Sequence, residues 1–347
     1  MATSLVIQTS FLGDTVLTTP LIAELARRGP VDVVATRASA PLLAHDPSVR
    51  QIVVFDKTGA DRGPAGLART AARIRAAWRE RDEHPRDAHA YLAQGSLRSA
   101  ALAALARVPS RTGFDDAPGR LLYTKRVPRR TSEHHAARLL SLADGRPASA
   151  RNPASIVPRL YPGDDDRRTV SALLAEHPSD RAIIALAPGS IWGTKRWPYY
   201  RELTQRLAPR FRVAIVGGPE DADVARALVD VAGADAINAT GRLGLLASAE
   251  LIRRAVALVT NDSLPQHLAS AVGTPTVTVF GPTVPEFGFG PLAPHSMTLG
   301  IETLACRPCH HHGPRVCPLG HWRCMKELDP ERVVVAVNRI AAQDALR

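Results

Sequence analysis

The sequence predicts an α/β fold with two Rossmann-like domains, and two observations carry this prediction. Short apolar segments rich in β-forming residues alternate with segments whose apolar residues recur at helical spacing, as in parallel sheets with crossover helices. The pattern lapses once, over residues 145–178, where prolines surround the acidic run Asp164-Asp165-Asp166, and then it restarts. A lapse of this composition is typical of a linker between domains, and we expect an approach helix within it.

The first round of alternation lies in residues 1–160. A β-rich segment opens it, and the helix that follows ends at Gly29-Pro30. The periodicity predicts strands over 4–9, 31–35 and 51–55, and helices over 15–28, 65–81 and 97–106.

The second round lies in residues 161–328. The same patterns predict strands over 182–187, 211–216, 257–260 and 276–280, and helices over 199–207, 220–231 and 266–272. A last helix over 329–347 is predicted from Asp329-Pro330-Glu331, which puts an N-cap residue before a proline at the first helical position.

The composition indicates a globular protein with an aliphatic core. Hydrophobic residues make up 45% of the chain but aromatic residues only 5%. The net charge of +11 attracts polyanions in general, such as nucleic acid, anionic lipid headgroups or phosphorylated glycans. No apolar run reaches the roughly 18–20 residues of a membrane span, and Met1-Ala2-Thr3-Ser4 lacks the basic head of a secretory signal. We therefore expect a cytoplasmic protein.

A first candidate site follows the first predicted strand, at Ser10-Phe11-Leu12-Gly13-Asp14. Gly13 allows a close approach of the backbone to an acceptor molecule. Asp14 is a candidate general base for an acceptor hydroxyl. The alternative is structural, because aspartate is also a preferred N-cap residue.

A second candidate site follows the first strand of the second half, over residues 187–198. Two glycines, the hydroxyls of Ser190 and Thr194, and the adjacent cations Lys195 and Arg196 make a candidate phosphate cradle. The spacing of the glycines and the lysine is not that of a Walker P-loop. The alternative is a plain surface loop.

Two further loops carry acidic residues after glycines or strands. Gly217-Gly218 ends a strand and precedes Glu220 and Asp221, which are candidates for binding ribose hydroxyls. Thr260-Asn261-Asp262-Ser263 ends another strand, and its Asp262 is a candidate partner for sugar hydroxyls. Helix capping is the alternative for all three carboxylates. His267, one turn later, is either a phosphate contact or a core histidine.

All four cysteines lie in one short segment, residues 306–324, together with four histidines. The C-x2-C spacing of Cys306 and Cys309 favours a zinc site completed by Cys317 and Cys324. The second pair is spaced more loosely, as C-x6-C. Free thiols in a packed loop and a redox pair therefore stay open as alternatives.

These motifs, taken in order, resemble the ADP-heptose:lipopolysaccharide heptosyltransferases. The resemblance lies in Ser10-Phe11-Leu12-Gly13-Asp14 with Thr18-Thr19-Pro20, Gly193-Thr194-Lys195-Arg196-Trp197-Pro198, Gly217-Gly218-Pro219-Glu220, Asn261-Asp262-Ser263 with His267, and Phe280-Gly281-Pro282-Thr283. The Cys306-Arg307-Pro308-Cys309 and Cys317-Pro318-Leu319-Gly320-His321 stretches resemble the heptosyltransferase II branch.

The resemblance implies a GT-B fold, in which two Rossmann-like domains face each other across a cleft. It implies an acceptor-binding domain in residues 1–160, a nucleotide-sugar-binding domain in 161–328, and inversion at the anomeric carbon. ADP-heptose is the implied donor, and no metal or other cofactor is implied as a requirement. The implied acceptor is an anionic, lipid-linked glycan of the lipopolysaccharide inner core, and the inner face of the inner membrane is a further candidate contact.

Roles carry over by position. Asp14 corresponds to the catalytic base, Lys195 to the cation at the diphosphate, and Ser190 to a phosphate-contacting hydroxyl. Asp262 corresponds to the carboxylate that binds the heptose, and Glu220 or Asp221 to the ribose ligand. The remaining nucleotide-sugar candidates are Thr194, Gly217, Gly218, Ser263 and His267. After Ser263 the family usually has Gly or Ala, whereas this chain has Leu264-Pro265-Gln266.

Two other functions are compatible with the sequence. A GT-B enzyme that uses another nucleotide sugar would share every motif except those that select the base. A basic nucleic-acid-binding protein would explain the charge, but no helix-turn-helix, zinc-finger spacing or aromatic platform supports it. We therefore expect a glycosyltransferase without a nucleic-acid partner.

Overall fold

The computed structural model describes residues 2–344, and the chain divides into two compact units, residues 1–161 and 162–347. The boundary falls one residue after the predicted one. The C-terminal helix is part of the second unit and packs on its sheet.

The first unit is a six-stranded parallel sheet with helices. Its strands are β1 Ser4–Gln8, β2 Val31–Ala35, β3 Gln51–Val54, β4 His89–Leu92, β5 Ser110–Phe114 and β6 Lys125–Val127. Its helices are α1 Leu12–Ala26, α2 Gly63–Arg79, α3 Leu97–Leu105 and α4 His135–Ser141.

The second unit repeats this design. Its strands are β7 Ile183–Ala187, β8 Arg212–Ile215, β9 Ile237–Asn238, β10 Ala257–Asn261, β11 Thr276–Val279 and β12 Met297–Leu299. Its helices are α5 Asp164–Ala175, α6 Tyr200–Leu207, α7 Ala222–Ala232, α8 Leu245–Arg253, α9 Leu264–Val272, α10 Arg323–Lys326 and α11 Pro330–Asp344.

Both sheets have the same strand order. The first reads β3-β2-β1-β4-β5-β6, and the second reads β9-β8-β7-β10-β11-β12 when written from its β9 edge. In each, the first and fourth strands of the unit are neighbours, and the chain leaves them toward opposite edges. Ligands of open α/β sheets bind at the carboxyl ends of the strands at this switch point, so each unit has one such position.

The core lies between sheet and helices in each unit, and aliphatic residues dominate it. β1, β2 and β10 are buried along their whole length, as expected for central parallel strands. In the second unit α11 contributes Val333, Val337 and Ile340 to the core. The side chain of Asp329 accepts a hydrogen bond from the N–H of Glu331 at 2.8 Å, so the predicted cap of this helix is confirmed.

Helix α1 has a proline in its interior, and the backbone carbonyl that this proline leaves unpaired accepts a hydrogen bond from a side chain instead. Pro20 has no N–H to give to the carbonyl of Val16. The hydroxyl of Thr19 donates to that carbonyl instead, at 2.8 Å, and accepts a hydrogen bond from the N–H of Arg159 at 3.0 Å. The Thr19 hydroxyl therefore replaces the missing hydrogen bond of α1 and connects this helix to Arg159, near the end of the first unit.

The structure differs from the sequence prediction in several elements. Helix α1 begins at Leu12 rather than at residue 15, whereas the approach helix expected within the linker stretch is observed as α5. The prediction missed three strands of the first unit, β4, β5 and β6. These strands are short, and polar or glycine residues interrupt their apolar pattern.

Across residues 2–344, every helix falls short of the length or the apolar character that crossing a bilayer requires.

Candidate functional site

The predicted site residues lie at the carboxyl ends of strands in both units. Gly13 and Asp14 follow β1, and Lys195 and Asp262 follow β7 and β10. β1 pairs with β4, and β7 pairs with β10, so these residues lie at the two switch points.

The loop that carries Asp14 is fixed by Gln8, the last residue of β1. The Gln8 side chain is buried, accepts the N–H of Ser10 at 3.2 Å and donates to the hydroxyl of Thr18 at 3.0 Å. The Thr18 hydroxyl donates in turn to the backbone carbonyl of Asp14 at 2.6 Å. The start of α1 is therefore anchored to the central strand.

Asp14 is not the N-cap residue of this helix. The N-cap position is Phe11, and Asp14 is the third helical residue, with 18% of its side chain exposed. A carboxylate in the first turn is favoured by the helix dipole.

The sequence analysis missed His135, which faces Asp14. It is the first residue of α4, and its Nε2 lies 3.7 Å from Oδ1 of Asp14. Burial, helped by the nearby cations Arg138 and Arg129 and by His134, lowers the pKa of His135 to about 3. The imidazole is therefore neutral at physiological pH.

In the second unit, Lys195 and Asp262 form a buried ion pair. Lys195 Nζ donates to Asp262 Oδ2 at 2.6 Å, and each side chain is only 9% exposed. Asp262 also accepts hydrogen bonds from the Thr283 hydroxyl at 2.6 Å and from the Gln266 amide at 2.9 Å. Both carboxylate oxygens are thus occupied within the fold, so Asp262 is not a helix cap.

Gln266 belongs to the stretch Leu264-Pro265-Gln266, in which the chain departs from the pattern of the heptosyltransferases that it resembles. Its side chain is fully buried and donates to Asp262 Oδ1. The departure thus fixes the carboxylate from within the core. Two other predicted nucleotide-sugar contacts lie nearby. The Ser263 hydroxyl lies 3.5 Å from the Thr260 hydroxyl. His267 is buried, and its ring packs edge-on against Phe289.

Asn261, at the end of β10, organises the loop that carries Lys195. Its amide donates to the carbonyl of Pro188 at 2.8 Å, and its carbonyl oxygen accepts the N–H of Trp197 at 3.2 Å. Within this loop the Ser190 hydroxyl accepts the N–H of Trp192. The loop therefore has a defined shape, and the plain-surface alternative does not describe its buried lysine.

The two acidic residues after Gly217-Gly218 have different surroundings. Asp221 is buried, and its carboxylate accepts the N–H of Gly218 at 3.1 Å, so the capping alternative describes this side chain. A Cβ on Gly189 or on Gly217 would collide with the same carboxylate. Burial raises the pKa of Asp221. Glu220 is exposed and is the better candidate for a ligand contact.

The Cys/His-rich segment, residues 306–324, packs on the loops that carry the ion pair. The Thr194 hydroxyl donates to the carbonyl of Pro314, and the N–H of Cys309 donates to the carbonyl of Pro282 at 2.9 Å. Arg307 donates to the carbonyls of Phe280, Gly281, Thr283 and Ile301. The segment therefore braces both Lys195 and Thr283 from outside the sheet.

The four cysteines of this segment carry free thiols. Within the described residues, no three His, Cys, Asp or Glu side chains converge as metal ligands. Burial raises the pKa of Cys324 to about 11. Burial also opposes ionisation of Cys317, but the N–H groups of residues 319–322 point at its sulfur and lower its pKa overall. The thiols are thus chemically unequal.

Comparison with known proteins shows the family to which this chain is similar. The model of glycosyltransferase family 9 (heptosyltransferase) matches residues 87–322. The lipooligosaccharide heptosyltransferase 2 of Haemophilus influenzae is 26% identical over 98% of this chain and 99% of its own length.

Two solved structures share the fold. The glycosyl transferase family 9 protein of Veillonella parvula has a TM-score of 0.83 and 21% identity, over 99% of this chain and 98% of that one. The E. coli ADP-heptose lipopolysaccharide heptosyltransferase II has a TM-score of 0.79 and 23% identity, over 99% of both chains. The predicted α/β class of GT-B type, with two Rossmann-like domains, is confirmed.

We predict that Lys195→Met destabilises the second unit, because it leaves the Asp262 carboxylate buried without its cation. Loss of one partner of a buried ion pair costs about 3 kcal/mol. The double variant Lys195→Met/Asp262→Asn should recover most of this loss. The free energy of unfolding, followed by denaturant titration, measures both effects. Equal destabilisation in the single and double variants would contradict the buried pair.

Proposed function

We propose, on the premise that this chain belongs to glycosyltransferase family 9, that it moves a heptose from ADP-heptose to an inner-core lipopolysaccharide acceptor with inversion at the anomeric carbon. The chain is a glycosyltransferase, and the family resemblance carried by its motifs is confirmed. The donor, the acceptor and the residue roles are the proposal.

The observation that carries the proposal is the buried Lys195–Asp262 pair at the switch point of the second sheet. A lysine held at this position is suited to a diphosphate, because ligands of such sheets bind there. When the donor diphosphate displaces Asp262 from Lys195, Asp262 Oδ2 keeps its hydrogen bond from Thr283 and accepts one from a sugar hydroxyl in place of the lysine. Thr283 and Gln266 keep the carboxylate in place during this exchange.

Asp14 supplies the base on the acceptor side. An acceptor hydroxyl gives its proton to Asp14 while its oxygen bonds to the anomeric carbon and the bond to the diphosphate breaks. General-base catalysis of this kind contributes about 10²–10⁴-fold. The negative charge that develops on the leaving ADP is stabilised by Lys195, and preorganised charge stabilisation is the larger expected contribution.

The identities of the donor and acceptor are supported by relatives. One solved structure with the same fold is an ADP-heptose lipopolysaccharide heptosyltransferase, and a relative is a lipooligosaccharide heptosyltransferase. The net charge of +11 supports a phosphorylated, anionic acceptor.

We predict that Asp14→Asn lowers kcat for heptose transfer by about 100-fold or more, because the amide cannot accept the proton. Thermal melting and circular dichroism should stay unchanged. Glu24→Gln, on the same helix α1, is the matched control and should keep full activity. Near-normal turnover of Asp14→Asn would remove Asp14 from the role of base.

We predict that the donor site selects adenine. A thermal shift on addition of ADP, equivalent to about 2.7 kcal/mol at a hundredfold excess over Kd, should not appear with UDP or GDP. Stabilisation by UDP or GDP instead would favour an enzyme for another nucleotide sugar.

We further propose that the enzyme works in the cytoplasm, in peripheral contact with the inner face of the inner membrane. Its positive charge supports attraction to anionic lipid. We predict flotation with vesicles that contain anionic phospholipid and no flotation with neutral vesicles at low salt. Equal behaviour with both would contradict the membrane contact.

A further inference from the structure

The contact between Asp14 and His135 joins the starts of two packed helices. Asp14 lies in the first turn of α1 and His135 is the first residue of α4, and these helices pack closely against each other. The distance between the two side chains is therefore set by helix packing and not by a flexible loop.

The start of α4 is itself held firmly. The imidazole of His134 accepts the N–H of Ala136 at 3.2 Å. The guanidinium of Arg138 donates to the carbonyl of Glu133 at 2.7 Å and to that of Thr131 at 2.9 Å. These contacts hold the backbone before and after His135 in place.

Both side chains are shielded from solvent, with 12% of His135 and 18% of Asp14 exposed. An interaction between them is therefore weakly screened. The 3.7 Å between Nε2 and Oδ1 exceeds the 2.7–3.2 Å of a hydrogen bond. Catalytic hydrogen bonds are often long before the substrate arrives and shorten in the complex.

The charge state of His135 matters for the base. A cation this close would stabilise the Asp14 carboxylate and weaken it as a proton acceptor. Burial, helped by the neighbouring Arg138, His134 and Arg129, lowers the pKa of His135 and keeps the imidazole neutral. A neutral ring donates one hydrogen bond and adds no charge.

We infer that His135 is a positioning residue for the glycosyl transfer: its Nε2–H holds Oδ1 of Asp14, so that Oδ2 receives the proton of the acceptor hydroxyl. The inference rests on the proposed function, because Asp14 is a base only in that reaction. The proton passes from the acceptor oxygen to Asp14, and His135 neither gains nor loses one.

Three variants and one matched control test this role, by kcat and KM for transfer from ADP-heptose. His135→Leu removes the donor and should lower kcat by about 10- to 100-fold, as expected for a misplaced base. KM and the thermal shift with ADP should be unchanged. His135→Gln places an amide N–H near the position of Nε2 and should recover most of kcat, whereas His135→Asn, whose amide is shorter, should not.

His89→Leu is the control. His89 is also a shielded histidine, with a pKa lowered to about 4 by burial, and it hydrogen-bonds Thr112 at 2.7 Å. It lies at the amino end of β4, whereas Asp14 follows the carboxyl end of β1. This variant should change melting temperature without changing kcat.

The outcomes separate the inference from the function it rests on. Absence of transfer by the unmodified enzyme would overturn the proposed function. Transfer by the unmodified enzyme with normal kcat in His135→Leu, or with equal activity in the Gln and Asn variants, would overturn only the positioning role. If His135→Leu does not fold, the order of the Gln and Asn variants decides.

Discussion

The strand order of the two sheets is the constraint from which the rest of the structure follows. Because each unit winds in two directions from its first and fourth strands, the loops after those strands diverge and leave the carboxyl ends of the strands uncovered. Asp14 follows the first strand of one sheet, and Lys195 and Asp262 follow the first and fourth strands of the other. The same topology thus creates the position of each candidate group.

Because the Lys195–Asp262 pair is buried, each of its two charges needs an oppositely charged partner. A buried charge is costly once its partner is removed, so in the proposed reaction the diphosphate replaces the charge of Asp262 at Lys195 with charge of its own. The Asp262 carboxylate does not lose all its partners in the exchange, since Thr283 and Gln266 still donate to it. The Cys/His-rich segment contacts both loops that carry these groups, through Pro314 and Arg307.

The two carboxylates differ in chemistry because their neighbours differ. Asp262 faces a lysine and two hydrogen-bond donors within the core, which suits binding. Asp14 lies at a helix start with 18% of its side chain exposed, beside an imidazole that burial keeps neutral, which suits its proposed role as the base. Two carboxylates of the same type can have different roles when their environments differ in this way. Asp221 shows a third outcome, in which the carboxylate fills the space above two glycines and shapes a loop.

The sequence by itself determined the α/β class, the lapse between the two rounds of alternation, and the loops in which Asp14, Lys195 and Asp262 lie. These features are local, because they depend only on the spacing of apolar residues and on the turn residues within each segment. Only the tertiary structure decided which side chains meet. Lys195 and Asp262 are 67 positions apart, His135 faces Asp14 across two packed helices, and β4 to β6 are strands chiefly because a neighbouring strand pairs with them. Contacts of this kind depend on the packing of distant segments, for which the spacing of residues along the chain carries no signal.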